Sequence, residues 1–304
     1  MTNVLADPVS EMPGGKSPSA ASVVPEVNRT VAAKLREYGD LLVQQGEGGF
    51  RSRAYDQAAD MIGGLERPVD DILAQEGRAG LLALPAVGYG IASAIAEMLA
   101  SGRWSQLERL RGELVPEALF RTIPGIGPML ASRLAEEGQL ESLEDLEHAL
   151  HFGDLAFKGF GERRKRMIGA ALAERLGRPA RAAGSQRTAP SVRLLLEVDR
   201  TYRERASASQ LPRIALRRFN PKGEAWLPIM HTRREGWHFT ALYSNSRLAH
   251  ELDRTRDWVV IHYQRDGEPE GRCTVVTGSR GPLAGQRIVR GREHPSEDRK
   301  ELQL

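Results

Sequence analysis

The chain has 304 residues, is 40% hydrophobic and only 6% aromatic, and carries a formal net charge of +3. That length supports two or three domains with cores of their own. No run approaches the ~20 apolar residues of a membrane span, the opening MTNVLADPVSEMPGG lacks a charged-then-apolar signal layout, and a lone Cys273 excludes internal disulfides and a cysteine-rich zinc site, so a cytoplasmic protein without a membrane partner is expected.

Taken in order, residues 1–25 are rich in Pro, Gly, Ser and Ala and read as a disordered tail. Asn28 is the expected N-cap of a first helix carrying Val31, Leu35, Tyr38 and Leu42 at helical spacing. A glycine-rich break precedes a second helix, Phe50 to Leu65, which begins with Arg51 and Arg53 and buries Tyr55, Ala58, Ala59 and Ile62. Pro68 opens a short third helix through Ile72, and Leu81-Leu82 leads into a turn.

That turn belongs to a repeat. Ile123-Pro124-Gly125-Ile126-Gly127, flanked by Phe120 and by Pro128-Met129-Leu130-Ala131, describes two helices joined by a turn, the second helix opening on uncapped backbone N–H groups. Glycines there let a phosphate reach the main chain, and Pro128 sits where no N–H is needed. The pattern recurs at Leu84-Pro85-Ala86-Val87-Gly88-Tyr89-Gly90 and at Phe157-Lys158-Gly159-Phe160-Gly161-Glu162-Arg163. Three such hooks suit a long polyanion, whereas one alone would serve as an ordinary glycine cap between packed helices. Arg163, Arg164, Lys165, Arg166, Arg175, Arg178, Arg181 and Arg187 follow the third copy, a basic stripe of the kind that binds nucleic acid. Short helices from Trp104 to Leu110 and Val115 to Phe120, and an amphipathic one from Leu140 to Leu150 with Ser142 as cap, fill the intervals.

Residues 178–190 have linker composition. Ser191 to about Ala208 reads as one helix, after which β-type runs follow: 213–219, 225–231, 237–243, 258–263, 273–277 and 286–289. A charged tail covers 294–304. The expected organisation is multidomain: a helical domain with the first hairpin at 26–102, a tandem helix-hairpin-helix segment at 103–177, and an α+β domain at 191–293 whose role the sequence leaves open.

LPAVGYGIASAIAEMLASG, FRTIPGIGPMLASRLAEEG, LESLEDLEHAL, FKGFGERRKRMI and FRSRAYDQAADMI carry a resemblance over residues 28 to about 177. They resemble the N-terminal half of the bacterial family X DNA polymerases, the small "8 kDa-like" helical domain plus tandem helix-hairpin-helix seen in the DNA polymerase beta lineage. The resemblance implies an all-α half whose hairpins grip DNA backbone at a nick or gap, with K+ or Na+ held by turn carbonyls. Carried over, those carbonyls belong to Leu82, Leu84 and Val87 in the first copy and to Arg121, Ile123 and Ile126 in the second. Ala86 stands where the first copy would have its first glycine. The family's deoxyribose-phosphate lyase lysine maps onto Ala94, and no lysine occurs from 35 to 157, so no imine can form by that route.

A polymerase would need carboxylates on a strand holding magnesium. Gly184-Ser185 followed by Glu197 and Asp199 imitates the nucleotidyltransferase signature, yet Leu194, Leu195, Val198 and Tyr202 around the pair fall at helical spacing. His231, His238, His250 and His262 lack a short metal-ligand spacing. Trp237, Phe239, Tyr243, Trp258 and Tyr263 read as a sheet core, with a base-stacking platform flanked by Arg233, Arg234 and Arg247 as the alternative.

The expected function is therefore sequence-independent, structure-sensing DNA binding in repair or recombination on the nucleoid, alongside a repair enzyme as partner and without polymerase or lyase chemistry of its own. Backbone contacts are expected near Gly88, Gly90, Gly125, Gly127, Gly159 and Gly161, with charge from Arg51, Arg53, Arg121, Arg133, Lys158 and residues 163–166. The alternative is a minimal metal-dependent nucleotidyltransferase or nuclease using Glu197, Asp199 and Asp253 or Asp257, and RNA is a further candidate ligand.

Overall fold

The computed structural model describes residues 24–152, 155, 160–177, 188–268, 270–279 and 281–293. Lys158, Gly159, Gly184-Ser185, most of the expected linker, the charged tail and nearly all of the N-terminal tail lie outside the described residues.

Helices α1 (Glu26–Gln44) and α2 (Phe50–Gly63) bury the apolar faces expected of them, Val31, Leu35, Tyr38 and Leu42 with Tyr55, Ala58, Ala59 and Ile62. Pro25, not Asn28, precedes α1. Asn28 is buried and ties down the α2–α3 connection: its amide donates to the carbonyls of Leu65 and Arg67 at 2.9 Å each, and its oxygen accepts the Val69 N–H at 2.9 Å.

Helix α3 (Val69–Leu82) extends well beyond the expected stop at Ile72. It bends at Gly77, where φ is 65°, and resumes because the Arg78 N–H released by the bend finds the carbonyl of Gly177 at 2.9 Å. A glycine breaks a helical pattern in the sequence, but here a distant carbonyl repairs it. Helices α4 (Tyr89–Ser101), α5 (Ser105–Arg111), α6 (Pro116–Phe120), α7 (Pro128–Glu136), α8 (Leu143–Phe152) and α9 (Glu162–Arg175) complete the helical half. Ser142 caps α8 as expected, its hydroxyl accepting from Asp145 N–H while the Asp145 carboxylate accepts from Ser142 N–H.

The C-terminal half is α10 (Val192–Ser207), capped by Ser191, followed by a six-stranded antiparallel meander in sequential order. The strands are β1 (Arg213–Ile214), β2 (Leu227–Arg234), β3 (Trp237–Tyr243), β4 (Val259–Gln264), β5 (Gly271–Thr277) and β6 (Arg287–Val289). A short α11 (Arg247–Glu251) interrupts β3 and β4; one turn is too brief to show periodicity in the sequence.

Alternation gives the sheet two unlike faces. Met230, Trp237, Phe239, Ala241, Val259, Ile261, Tyr263, Val275 and Val289 pack beneath Leu194, Leu195, Val198 and Tyr202 of α10. Those aromatics are core, with Trp258 buried as well, so a base-stacking platform is ruled out by burial. The opposite face rests on the helical half, and Ile214, Leu227, Ile229 and Leu242 share a buried cluster with the apolar side chains of α1 to α9. The halves meet backbone to backbone at Gly112, where φ is 77° and a Cβ would lie 2.3 Å from the Ala215 carbonyl; the Arg217 N–H donates to Gly112 O at 2.7 Å.

Candidate nucleic-acid interface

The first two hairpins repeat one another atom for atom in their turns. Val87 N–H donates to Leu84 O at 3.2 Å and Ala92 N–H to Gly88 O at 2.9 Å; Ile126 N–H donates to Ile123 O at 3.2 Å and Ala131 N–H to Gly127 O at 2.9 Å. Gly88 and Gly127 precede α4 and α7 with nearly identical backbone angles, φ −82°, ψ 178° and φ −84°, ψ 175°. Gly161 precedes α9 at φ −77°, ψ 168°. None of the three is capped by a side chain, so each helix presents first-turn N–H groups at the positive end of its dipole.

Ala86 holds the left-handed conformation (φ 61°) that Gly125 adopts at the equivalent turn position (φ 86°). The missing glycine therefore leaves the turn intact and adds local strain of roughly 1 kcal/mol.

The surroundings of the hairpins differ. A Cβ at Gly88, Gly127 or Gly161 would meet nothing within 4 Å. At Gly125 it would lie 2.6 Å from the Met167 side chain of α9, which leans over the second turn. Beside that turn Met129 is 82% exposed, an apolar side chain standing at the hairpin mouth.

Gly90 is approached by Gln264, whose amide nitrogen would be 2.5 Å from an added Cβ. The β4–β5 turn thus leans over the first hairpin and encloses, with α2, a cavity of about 480 Å³. Phe50, Arg51, Tyr89, His238 and Arg265 line it, and Phe50 is 70% exposed. His238, Gln264 and Arg265 were not foreseen as neighbours of a hairpin, since nothing local in the sequence signals a contact between halves.

The expected cations distribute unevenly. Arg53, Arg121, Arg163, Arg164 and Arg166 are exposed; Arg53 donates to Gly49 O at 3.1 Å. Arg133 bonds Glu137 at 2.9 Å, and Lys165 pairs with Glu162 at 3.0 Å. Arg51 departs from expectation: its side chain is buried, donating to the Tyr38 hydroxyl at 3.0 Å and pairing with Glu47 at 3.3 Å, because the α1–α2 connection folds its carboxylate back over the guanidinium. Its role at the cavity is accordingly in the wall.

The imitation of a catalytic pair dissolves on α10. Glu197 faces outward to Arg193 at 3.1 Å, while Asp199, 1% exposed, is held by Arg287 at 2.6 and 3.1 Å and by Arg203 at 3.1 Å. A helix turns neighbouring-but-one side chains about 200° apart, so the two carboxylates cannot converge on one ion. Asp257 belongs to the same ionic knot, bonded to Thr277 at 2.6 Å and Arg287 at 2.5 Å. Ala94 is buried in α4.

Three of the histidines join the two halves. His231, Thr240, His262 and Arg272 form one row across the sheet, in register. Burial holds the His231 imidazole down at about 4, hence neutral; its Nε2–H donates to Gln45 Oε1 at 2.9 Å, leaving Nδ1 to accept from the Thr240 hydroxyl at 3.0 Å. His262 is held well below its ordinary value by burial and by Arg109 and Arg272. His238 approaches Glu47 at 3.3 Å, and Arg109 forks onto Glu270. His250 lies apart, bonding Asn245 at 2.7 Å.

Residues 26–104, from α1 through the first hairpin and α4, match the helix-hairpin-helix domain family, a match that points to nucleic-acid binding.

Proposed function

We infer that this chain is a sequence-independent, structure-sensing DNA-binding protein, acting on gapped, nicked or branched DNA in repair or recombination beside a partner that supplies the chemistry. The observation that carries the reading is the set of three uncapped helix N-termini at Gly88, Gly127 and Gly161, opening helices of 13, 9 and 14 residues. Each offers an oxyanion several N–H donors and a favourable dipole, and phosphates are the oxyanions that recur along a chain. Contacts of this kind carry no base code and weaken with salt.

The unequal access to the hairpins supports structure sensing. The second is open at Gly127, whereas the first faces a cavity roofed by the β4–β5 turn. A flexed or interrupted strand enters such a cavity more readily than a continuous stiff duplex. The likeness to the N-terminal half of family X polymerases, which extends past the matched residues to about 177, supports a gap or nick as the target. In each turn one carbonyl, Leu84 O or Ile123 O, already accepts an N–H and keeps a second lone pair. These, with the carbonyls of Leu82, Val87, Arg121 and Ile126, would hold K+ or Na+, neutralising charge between turn and phosphate.

Filter binding of gapped, nicked and intact duplexes at two salt concentrations tests the reading. Preference for the interrupted duplexes with steep loss at the higher salt is expected. Indifference among the three, or no binding at low salt, overturns it. Competition with a matched RNA duplex separates DNA from RNA.

A further inference from the structure

A second basic site lies where the C-terminal half meets α8, apart from the turns of the first two hairpins. A groove of about 590 Å³ runs between α8 and the outer side of β5; Arg272, Arg290, Arg292 and His148 line it together with Gln139 and Asp145. It sits at the C-terminal end of α7, about 13 Å of helix from the second hairpin turn.

The charges in the groove do not cancel. Arg272 is occupied, paired with Glu141 at 3.0 Å and bonded to the Gln139 carbonyl. Asp145 is occupied by the N–H groups of Glu141 and Ser142. Arg292 donates to the Pro190 carbonyl at 2.8 Å, and Arg290 stacks on the Trp258 ring at 4.5 Å. Among the described residues neither Arg290 nor Arg292 has a salt-bridge partner. Glu293 is the one acid that favours the charged form of Arg290; half-burial and Arg272 both push its pKa down.

Backbone geometry adds a donor. β6 pairs with residues 275–277 of β5 and the Arg290 N–H reaches the Thr274 carbonyl, so residues 271–273 form an open edge. The Thr274 carbonyl accepts from Arg290 N–H at 2.9 Å on the β6 side; by antiparallel alternation the Arg272 N–H points the same way, with no strand beside it. One free backbone donor and two unpaired guanidiniums suit a tetrahedral oxyanion. They offer too short an edge for an added peptide strand.

We propose that this groove binds the phosphodiester backbone of a single nucleic-acid strand through Arg290 and Arg292. The identity of the anion rests on the nucleic-acid reading above; the site itself does not depend on the hairpins.

The test is fluorescence anisotropy of a 5′-labelled dodecathymidylate with the full chain at three salt concentrations, for wild type, Arg290→Gln/Arg292→Gln and Arg290→Lys/Arg292→Lys. The variants lose the Trp258 stack and the Pro190 bond but no ion pair between described residues, so thermal melting should fall by no more than a few degrees. Two lost phosphate contacts should weaken binding about tenfold and flatten the slope of log K against log salt by about 1.4, while the lysine pair, which keeps both charges, binds with intermediate affinity and the wild-type slope. Unchanged affinity and slope in the glutamine pair overturn the site, whatever the hairpins do. So does wild-type protein that binds polyglutamate but not the oligonucleotide. Wild-type protein indifferent to nicks, yet losing the oligonucleotide in the glutamine pair, leaves the groove standing and removes only the hairpin reading.

Discussion

Arg109 and Glu270 stand 161 positions apart and meet in parallel N–H to carboxylate hydrogen bonds of 3.1 and 3.0 Å, inside the contact between the helical half and the sheet. Arg109 also lies 3.6 Å from Glu141, so one guanidinium serves two carboxylates from the two halves. Removing one member of a buried pair leaves the other charge uncompensated, which costs about 3–5 kcal/mol. Arg109→Leu strands Glu270, while Glu141 keeps Arg272 at 3.0 Å, and should lose about that much in urea denaturation. Glu270→Gln leaves Arg109 with Glu141 and should lose less, about 1–3 kcal/mol. Equal losses would mean Glu141 does not share the cation.

Acid should loosen the same contact. His231 and His262 have folded pKa values depressed below the unfolded 6.5, so the unfolded chain binds more protons and stability falls as pH drops below about 6.5. For His231, with a folded value of about 4, the contribution across that window is about 3 kcal/mol. The groups acting on it are Gln45, Glu47, Arg51, Arg109 and Thr240, of which only Glu47 favours protonation. Urea midpoints at pH 7 and 5 should differ clearly in wild type, and His231→Asn should shrink the difference by close to one proton's worth.

Glu97 predicts the opposite trend at higher pH. Its carboxyl is buried in α4 and accepts the Ser105 N–H at 3.3 Å and hydroxyl at 3.0 Å, closing the start of α5. Burial pushes its pKa up to about 8, with the Ser105 bonds opposing and Glu144 adding. A raised folded value means the native state holds the proton that the unfolded chain releases, so stability is full below pH 4.5 and is lost as pH climbs toward 8. Thermal melts from pH 6 to 8.5 should show wild type losing about 3 kcal/mol across that range while Glu97→Gln stays level.

On α10 the two carboxylates should behave unlike one another. Glu197→Gln removes a solvent-facing pair with Arg193 and should change stability by less than about 0.5 kcal/mol. Asp199→Asn strips the buried partner of Arg287 and should cost about 2–4 kcal/mol. Comparable effects at both positions in chemical denaturation would contradict their placement.

These positions also show what local pattern can and cannot carry. α10 was legible to within a residue or two because Leu194, Leu195, Val198 and Tyr202 mark one face and Ser191 its start. β3 was legible because Trp237, Phe239 and Ala241 alternate. The three hairpin glycines were legible because a turn of that shape demands them. The inward histidines were not, since Gln45 lies 186 positions from His231 and alternation does not say what covers a face. Nor was the burial of Arg51, which depends on how Glu47 and Tyr38 fold around it. Gln264 over Gly90 is of the same kind, a long-range packing choice without a local signature.

Gly127 allows the hairpin to be tested apart from the fold. Its φ of −84° suits any residue, and a Cβ there would meet nothing within 4 Å, so a side chain is accommodated without strain. Yet the side chain would stand where a phosphate must approach the first-turn N–H groups of α7. Gly125 differs, because its φ of 86° and the Met167 side chain 2.6 Å from an added Cβ penalise any substitution. Gly127→Val should therefore melt within a degree or two of wild type while binding nicked duplex at least tenfold more weakly. Gly125→Val should lose both binding and about 1–3 kcal/mol of stability. The separation matters because a glycine that served only to cap a helix would behave like Gly125 at both positions; undiminished binding by a well-folded Gly127→Val would show that the second hairpin touches no backbone.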